Sequence, residues 1–363
     1  MIFRIENIEL KNVRNIEKGN IYTGEYLELL DGNFIEFTHH LCLFGLNGSG
    51  KTTALMALDN VRNLIRNKTE GESLLQKGKE NFSINITFYL GLDDESYLVT
   101  YNYTADLEKL ISENIIIKRY DFDTDDYIVD YIETSGEDTA IVSKIFMNPK
   151  HDVIKQIKYQ MTNRFFIYDN AIQYIPYRLW GYDRKDSLLE KGYYNEELDS
   201  IINCVNRILL PIADVEIQLT VGGDSYFTQF KHKDYSVRYD EESGGIKRLA
   251  GLLLCLIPLA THSDICVCID EIENSLFDRV IVLLLELTDR LFSGQIIMTS
   301  HQFSLIDFLS SSSVFFAEDN TYKKITGTPI LSKYEEHLSN KKPIYYNSSK
   351  LAKELQKDGN MYE

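Results

Sequence analysis

The first hundred residues alternate between apolar and polar positions in short segments, which is the period of a half-buried β-strand. The third of these segments leads through a glycine-rich loop into a helix-like pattern that reaches about Asn67. The sequence therefore predicts a series of strands with hairpin turns and one strand–loop–helix unit. The segments are FRIENIELKN, EYLELLDGNFIEFT, HLCLFG, FSINITFYLG and SYLVTYNYT, and the last two form an expected hairpin.

The pattern is mixed from there to about Tyr239, with a helix-like segment NEELDSIINCVNRIL and a hairpin VEIQLTVGGDSYFTQF around a Gly-Gly-Asp-Ser turn. Stronger patterning follows. A Ser-Gly-Gly turn opens an apolar helix, ICVCID is typical of a buried strand that ends in acidic residues, and GQIIMTSHQFSLIDFL predicts a strand, a Ser-His pair and a helix. This alternation of strands and helices favours an α/β class.

The stretch GLNGSGKT, from Gly45 to Thr52, fits the phosphate-binding pattern G-x-x-x-x-G-K-[ST] between its strand and its helix. Glycines let backbone amides turn toward phosphate oxygens, and the helix N-terminus adds partial positive charge. Lys51 would reach the β- and γ-phosphates, and the Thr52 hydroxyl would bind Mg²⁺. An accidental glycine-rich turn is the alternative. The predicted cofactors are ATP and Mg²⁺, although the pattern does not separate ATP from GTP. The predicted nucleotide-binding residues here are Asn47, Gly48, Ser49, Gly50, Lys51, Thr52 and Thr53.

Two later motifs complete the predicted site. Asp270 and Glu271 end an apolar strand, where Asp270 can bind the Mg²⁺ shell and Glu271 can orient and deprotonate water. Ser243, Gly244 and Gly245 open a helix, so they offer a hydroxyl and free amides to an anion. We expect that anion to be the γ-phosphate bound by a second subunit.

Charge and composition argue against several classes of binding site and fold. The net charge of −17 disfavours a DNA-adhesive surface. Residues 91 to 140 hold 14 acidic and three basic residues. The stretch from Asp121 departs from a calcium-binding loop because Asp126 and Ile132 stand where Gly and Glu are required, so a solvated acidic loop is expected. The odd number of cysteines argues against a disulfide framework.

The chain opens directly on a strand-like pattern, without a leader. Its longest apolar run, Leu249 to Ala260, is too short to cross a bilayer. We therefore expect a cytoplasmic protein with no membrane partner.

The order of phosphate loop, Ser-Gly-Gly, Asp-Glu and a strand followed by His301 resembles the ABC-type ATPases. Within them, FRIENIELKNVRNI, IDEIENSLFDRV and GQIIMTSHQFSLID resemble the SMC/RecF/OLD-like branch, which includes AAA-type ATPases of bacterial anti-phage defence systems. The resemblance covers roughly residues 1 to 104 and 165 to 320. It implies an α/β P-loop NTPase with an ABC-type two-lobed head, made of N-terminal antiparallel strands and a mainly parallel core sheet, with an inserted α+β region.

The resemblance also implies residue roles. Ser243 and Gly245 contact the γ-phosphate across a homodimer or higher homo-oligomer, and His301 is the γ-phosphate switch; with Lys51 and Glu271 it completes the catalytic set. Asn274 and Ser275 form a dimer-facing turn. The sequence departs from the family at Phe277, usually His, and at Gln302, often Ser, and neither is given a role. Gln173, in the segment Ile172 to Leu179, is a weak candidate for the Q-loop.

The predicted segments are an N-terminal lobe with the phosphate loop at 1–91, an inserted acidic or lid region at 92–240, a signature, acidic-strand and histidine lobe at 241–330, and a tail at 331–363. The separation of Thr52 from Ser243 by about 190 residues leaves room for an inserted domain and weakens a transporter interpretation.

Two functions remain after the transporter is set aside. One is a RecF-like repair ATPase that binds DNA, which the acidity disfavours. The other is a defence ATPase that regulates a separate effector, a nuclease or toxin, because the sequence after the last motif is too short for a nuclease domain. The acidic segment would then be a docking surface. We prefer the second, mainly on family resemblance.

Overall fold

Three β-sheets organise the part of the chain that the computed structural model describes: residues 1–22, 40–66, 74–137, 143–168, 196–222, 225–238, 241–291, 293–309 and 314–324. The predicted strand EYLELLDGNFIEFT, the predicted tail and the Gln173 segment lie outside these residues.

The first sheet is antiparallel and six-stranded. Its strands are β1 (Ile2–Val13), β2 (Ile16–Tyr22), β4 (Phe82–Leu92), β5 (Glu95–Ala105), β6 (Leu110–Asp121) and β7 (Asp126–Ser135). They are arranged in the order β2-β1-β4-β5-β6-β7. The predicted hairpin is confirmed, since β4 and β5 pair from Phe82 opposite Ala105 to Leu92 opposite Glu95.

The expectation of an acidic loop at residues 121–133 is wrong in part. Only a short turn joins β6 to β7, and Asp121 accepts hydrogen bonds there from the Asp123 backbone and the Thr124 hydroxyl. The residues that follow form β7, an edge strand of the sheet. The Tyr, Ile and Val residues of β7 favour a strand despite the charge around them. No cluster of three or more acidic, His or Cys side chains suited to a metal occurs among the described residues, here or elsewhere.

The second sheet is parallel except at one edge. Its strands are β3 (His40–Phe44), β8 (Phe165–Tyr168), β12 (Cys266–Ile269), β13 (Gln295–Ser300), β14 (Val314–Glu318) and β15 (Thr321–Lys324). Their order is β15-β14-β3-β13-β12-β8, and β15 alone of these six is antiparallel to its neighbour. The central strands are buried along their whole length, as expected of a parallel sheet covered on both faces.

Helices and a small third sheet complete the described fold. The third sheet is antiparallel in the order β11-β10-β9, and the predicted VEIQLTVGGDSYFTQF hairpin is confirmed as its β9–β10 pair. Its strands are β9 (Glu216–Gly222), β10 (Ser225–Lys231) and β11 (Ser236–Arg238). The helices are α1 (Lys51–Ile65), α2 (Lys144–Met147), α3 (Asp152–Asn163), α4 (Glu196–Ala213), α5 (Gly244–Thr261) and α6 (Asp278–Leu291), and Phe303–Phe308 is a 3-10 helix.

Two hydrophobic cores lie on opposite faces of the parallel sheet. Alternate strand residues divide between them: Leu41 and Leu43 of β3 join the first core, whereas Cys42 and Phe44 join the second. The first core is shared with the antiparallel sheet, α1 and α3, and the second with α4, α5 and α6. Because successive side chains of a strand point to opposite faces of the sheet, each of these strands buries side chains in both cores.

Buried polar side chains join the two large sheets. The Gln295 side chain at the start of β13 donates to the carbonyl of Ile5 and accepts from its amide, both at 2.9 Å. A β-bulge between Ile5 and Asn7 interrupts the pairing of β1 with β4 at this point. Arg4 donates to the Ser263 carbonyl at 2.5 Å and also to that of Ser293. These bonds fix β1 against the ends of the parallel strands.

The predicted segment boundary at residue 91 falls inside the first sheet, near the end of β4 and just before its partner strand β5. The strands β5, β6 and β7 continue the N-terminal sheet, so the first part of the predicted insertion shares its hydrogen bonds and its core. The four-segment division remains a prediction. No helix in the described part of the chain is long and apolar enough to cross a membrane.

Because Glu6, in the β1 bulge, is buried, we predict that the free energy of unfolding depends on pH. Burial raises the pKa of this carboxyl to about 7, and Arg4 opposes the shift. The folded state therefore favours the protonated form, so this contribution to stability is complete below the unfolded pKa near 4.5 and is lost as the pH rises through 7. We expect Glu6→Gln to raise the free energy of unfolding at about pH 8, by at most ~3 kcal/mol, and to change it little at about pH 5.

Denaturant unfolding of both proteins at the two pH values measures this effect. Glu9→Gln, at an exposed position of the same strand, is the matched control. An equal effect of Glu6→Gln at both pH values would contradict the prediction.

Candidate functional site

Three neighbouring parallel strands bring the predicted motifs together. The strand β13 lies between β3 and β12, with Ser300 opposite Phe44 and Met298 opposite Ile269. Gly45, Asp270 and His301 are the residues that follow directly after β3, β12 and β13. Because the carboxyl ends of parallel strands share one edge, the sheet itself gathers the three motifs at a position where α/β proteins bind ligands.

The candidate phosphate loop is packed from two sides. Gly50, just before α1, has a φ of +109°, and a Cβ there would lie 2.5 Å from the Ile16 side chain, so only glycine fits. The Tyr322 hydroxyl donates to the Gly50 carbonyl at 2.8 Å. The Asn15 side chain donates to the Gly48 carbonyl and accepts from the Thr53 hydroxyl, at 2.8 and 2.7 Å. The loop thus has a fixed shape.

Lys51 lies folded back over its own loop. Its ammonium group donates to the carbonyls of Gly45 and Leu46 at 2.8 and 3.1 Å. Burial lowers the pKa of Lys51, and the carboxylates of Glu271, Glu273 and Asp270 oppose that shift. A cation held by carbonyls inside a ring of glycines can exchange those carbonyls for phosphate oxygens.

The Asp270 carboxylate receives hydrogen bonds from two hydroxyl groups. The Thr52 hydroxyl lies 3.1 Å from both carboxylate oxygens, and the Thr299 hydroxyl donates to one of them at 2.6 Å. The hydroxyl and carboxylate oxygens of Thr52 and Asp270 are the hard donors that Mg²⁺ prefers, and two protein ligands suit an ion that keeps several waters and binds phosphate. This donor set fits the predicted metal.

Glu271 occupies a constrained backbone position. Its φ is +47°, which is unusual for a residue with a side chain. Its amide donates to the Thr299 hydroxyl at 2.8 Å, and its carbonyl accepts from the Asn274 amide at 2.9 Å. The buried Arg248 of α5 donates to the carbonyls of Asp270 and Glu271, both at 2.9 Å. The turn that carries the predicted catalytic acid is therefore held at both ends.

The Ser-Gly-Gly motif lies at the start of α5, as predicted. The Ser243 hydroxyl accepts from the Ile246 amide at 3.4 Å, in the manner of a helix N-cap. The Glu242 carboxylate accepts from the Ser243 amide and contacts the ring of His232, both at 2.6 Å. Burial alone would raise the pKa of Glu242, but these hydrogen bonds outweigh it and lower the pKa. The β10–β11 hairpin therefore supports the motif through His232.

The Ser-Gly-Gly motif also adjoins the turn after the acidic pair. A Cβ added at Gly245 would lie 3.0 Å from the Ser275 carbonyl. Ser275 itself has a φ of +62°, and its hydroxyl donates to the Asn274 side chain at 3.1 Å. The structure thus places Gly245, Asn274 and Ser275 side by side. Their predicted contact with a second subunit remains a prediction.

His301 is anchored by an acidic residue that the sequence analysis did not select. The Glu273 carboxylate lies 2.7 Å from Nδ1 of His301 and accepts from the His301 amide at 2.6 Å. Of the two positions that depart from the family pattern, Phe277 is 84% exposed just before α6, and Gln302, after β13, donates to Asp278 at 2.8 Å.

Several structural partners of the site were missed from the sequence. Asn15 and Glu273 lie within the quoted segments FRIENIELKNVRNI and IDEIENSLFDRV, and Arg248 lies three residues after Gly245, but nothing in their spacing indicates a partner far along the chain. Thr299 and Tyr322 come from strands whose positions beside β3 appear only in the folded sheet. The roles of the predicted site residues remain predictions, although their positions at one sheet edge agree with them.

Comparison with known proteins identifies a family. The family model described as "AAA domain, putative AbiEii toxin, Type IV TA system" matches residues 41–307. This range begins in β3 and ends just after His301, so it contains every predicted site residue. No curated protein matches this chain.

Solved structures share the fold at low sequence identity. The SMC head in complex with the C-terminal winged-helix domain of ScpA is 15% identical, with a TM-score of 0.50, and the alignment covers 91% of this chain and 99% of that one. The SMC head of Thermotoga maritima is 13% identical, with a TM-score of 0.44 over 89% and 100% of the two chains. RecF with ATP is 14% identical, with a TM-score of 0.43 over 90% and 98%. The first likeness confirms the predicted fold, an α/β P-loop head of the ABC type.

Thr299 provides a test of how the Asp270–Glu271 turn is held. Its fully buried hydroxyl both donates to Asp270 and accepts from the Glu271 amide. We expect Thr299→Val, which keeps the shape and removes the hydroxyl, to lower the free energy of unfolding by about 1–3 kcal/mol because the Glu271 amide loses its partner. Thr299→Ser should recover most of that loss. Urea unfolding measures both, and equal loss in the two variants would contradict the assignment.

Proposed function

We propose that this chain, which belongs to the family of AAA domains described as putative AbiEii toxins of type IV toxin–antitoxin systems, binds ATP with Mg²⁺ and hydrolyses it to ADP and phosphate. The observation that carries the proposal is the contact of Thr52 with Asp270 across 218 residues of sequence. It brings the two predicted metal-binding oxygens together at the mouth of the candidate phosphate loop.

The proposed roles follow from the positions of the side chains. Residues 47 to 53 surround the phosphates with backbone amides, and Lys51 exchanges its carbonyl partners for phosphate oxygens. Thr52 and Asp270 hold Mg²⁺, which when bound neutralises phosphate charge. Glu271 orients the attacking water and accepts its proton, and the backbone bonds to Thr299 and Arg248 fix its position for that task.

A second copy of the chain completes the proposed site. The hydroxyl of Ser243 and the amides of Gly244 and Gly245 form the N-terminus of an 18-residue helix, which attracts an anion. Arg248 of the same helix holds the carbonyls of Asp270 and Glu271. A γ-phosphate bound at Ser243 from a partner subunit would therefore stabilise the helix that fixes the catalytic turn, and ATP would favour a homodimer or a higher homo-oligomer.

Three variants separate binding, turnover and dimerisation. Lys51→Ala should lose nucleotide binding, because the phosphate charge loses its cation. Glu271→Gln should bind ATP, fail to turn it over, and form a dimer or a tighter assembly on addition of ATP. Ser243→Arg in the Glu271→Gln background should bind ATP but not assemble, because a bulky cation replaces the small hydroxyl at the shared phosphate.

Light scattering and equilibrium binding of a fluorescent ATP analogue test these expectations. Ser243→Thr keeps a hydroxyl and is the matched control for Ser243→Arg. Nucleotide affinity retained by Lys51→Ala would contradict the binding site, and a Glu271→Gln protein whose mass does not respond to ATP would contradict the shared site.

The proposed biological role is the regulation of a separate effector protein by the ATP-driven assembly, in a defence system. The family description, which names a toxin–antitoxin system, supports this role. The net charge of −17 and the acidic β6–β7 hairpin support a protein partner over DNA. On β7, Val129 and Ile132 are each more than half exposed, and the same edge strand exposes Asp126 and Asp130, so it suits docking to a partner with basic and apolar residues.

Duplex DNA binding distinguishes this role from that of a RecF-like repair ATPase. Phosphate contacts need clustered basic residues, and binding that depends on them weakens steeply with salt. We expect the Glu271→Gln protein with ATP to show at most feeble binding of duplex DNA at about 150 mM salt, measured by fluorescence anisotropy across a salt series. Submicromolar affinity under those conditions would favour the repair function instead.

A further inference from the structure

We infer that Glu273 is the positioning residue for His301, holding its ring in the tautomer with the proton on Nδ1 so that Nε2 is left to face the γ-phosphate and the attacking water. The inference deepens the proposed function and rests on it for the γ-phosphate, but the pairing itself is a property of the protein alone.

The geometry fixes which ring nitrogen carries the proton. One carboxylate oxygen of Glu273 lies 2.7 Å from Nδ1 of His301 and accepts the backbone amide of the same residue at 2.6 Å. The same oxygen already accepts the backbone amide, so it acts as an acceptor toward the ring as well, and Nδ1 carries the proton. The other neutral tautomer would place the lone pair of Nδ1 against a carboxylate oxygen at contact distance.

One hydrogen bond and one close contact with the same carboxylate hold both the backbone and the ring. The amide bond fixes the chain where it leaves β13, and the contact with Nδ1 restricts the orientation of the imidazole. Only 3% of the Glu273 side chain is exposed, whereas 49% of the His301 side chain is exposed. The pair is therefore anchored in the protein at the carboxylate and open to a ligand at the ring.

The burial of the Glu273 carboxylate is only partly compensated by hydrogen bonds. Within the described residues, the second carboxylate oxygen of Glu273 is buried and has no hydrogen-bond partner. Glu273 also affects the pKa of two residues next to the candidate phosphate loop, one on β3 and one on α1. Burial raises the pKa of Cys42 in β3, with a further contribution from Glu273, and Glu273 opposes the lowering of the pKa of Lys51. A costly buried charge beside a binding site indicates a role in function.

The chemistry available to His301 follows from this arrangement. With its Nδ1 proton committed to Glu273, Nε2 can accept a hydrogen bond from the attacking water. The proton of that water passes to Glu271, so the ring stays neutral and acts by orienting the water. The Glu273 carboxylate thus sets the tautomer, as carboxylates do for catalytic histidines elsewhere.

Histidine ¹⁵N NMR of the full chain tests the tautomer directly. The protein has seven histidines, and the signal absent from His301→Ala assigns His301. We expect the unchanged protein to show the Nδ1-protonated form at His301. Glu273→Leu, which removes the acceptor, should shift His301 to the Nε2-protonated form, and Glu273→Gln, which keeps a carbonyl acceptor, should retain the Nδ1 proton in part.

Kinetics test the consequence. We expect Glu273→Leu to lower kcat for ATP by about 10- to 100-fold and to leave KM within about threefold. Glu273→Gln should lose less. In a His301→Ala background, Glu273→Leu should lower kcat much less than it does in the unchanged protein, because the ring is already absent and only the bond to the amide of residue 301 is left to lose. Asp152→Asn is the control, since it removes an exposed carboxylate paired with Lys155 at 2.8 Å, far along the chain from the site.

The outcomes are separable. An Nε2-protonated His301 in the unchanged protein would overturn the positioning role whatever the turnover. A full additional loss from Glu273→Leu in the His301→Ala background would overturn it as well, because that loss would come from general destabilisation. A thermal unfolding curve for each variant identifies such destabilisation. An unchanged protein with the expected tautomer and no ATP turnover would instead contradict the proposed function.

Discussion

The carboxylate of Asp270 holds the candidate site together. It accepts the Thr52 hydroxyl from the first turn of α1 and the Thr299 hydroxyl from β13, while the turn that begins at Asp270 continues into Glu271. Three elements that are far apart in sequence are therefore joined by hydrogen bonds to one carboxylate. Thr299 contributes twice, because its hydroxyl also accepts the Glu271 amide. The order β3-β13-β12 makes this arrangement available by placing the threonine strand between the loop strand and the acid strand.

That edge of the sheet is rigid because polar groups as well as apolar ones fix its surroundings. Gln295 and Arg4 bind backbone groups across the junction of the two large sheets. Each of these side chains is almost fully buried, and a buried polar group left unpaired costs about 1–3 kcal/mol, so their bonds specify one arrangement of the sheets. The antiparallel sheet, through Asn15 and Ile16 at the start of β2, then shapes the phosphate loop.

Two buried carboxylates link the outer motifs to this edge. Glu242 connects the Ser-Gly-Gly motif to His232 of the small third sheet, and Glu273 connects the end of β12 to His301 after β13. Arg248 joins the first motif to the Asp270–Glu271 turn. In the proposed assembly, nucleotide bound at Ser243 from a partner would act on Glu271 through the start of α5, since Ser243 caps that helix and Arg248 lies five residues further along it.

The sequence by itself determined the motifs, the paired strands β4 and β5, the β9–β10 hairpin and the α/β class, because glycine spacing, side-chain period and turn residues are local properties of the chain. It did not determine that residues 126–135 form an edge strand, because the many acidic residues there obscured the strand-forming Tyr, Ile and Val residues. Only the tertiary structure decided the partners of the site residues. Thr299, Glu273, Arg248 and Asn15 reach the motifs through the order of strands and the packing of α5. That order is set by burial on both faces of the parallel sheet, which no local pattern contains.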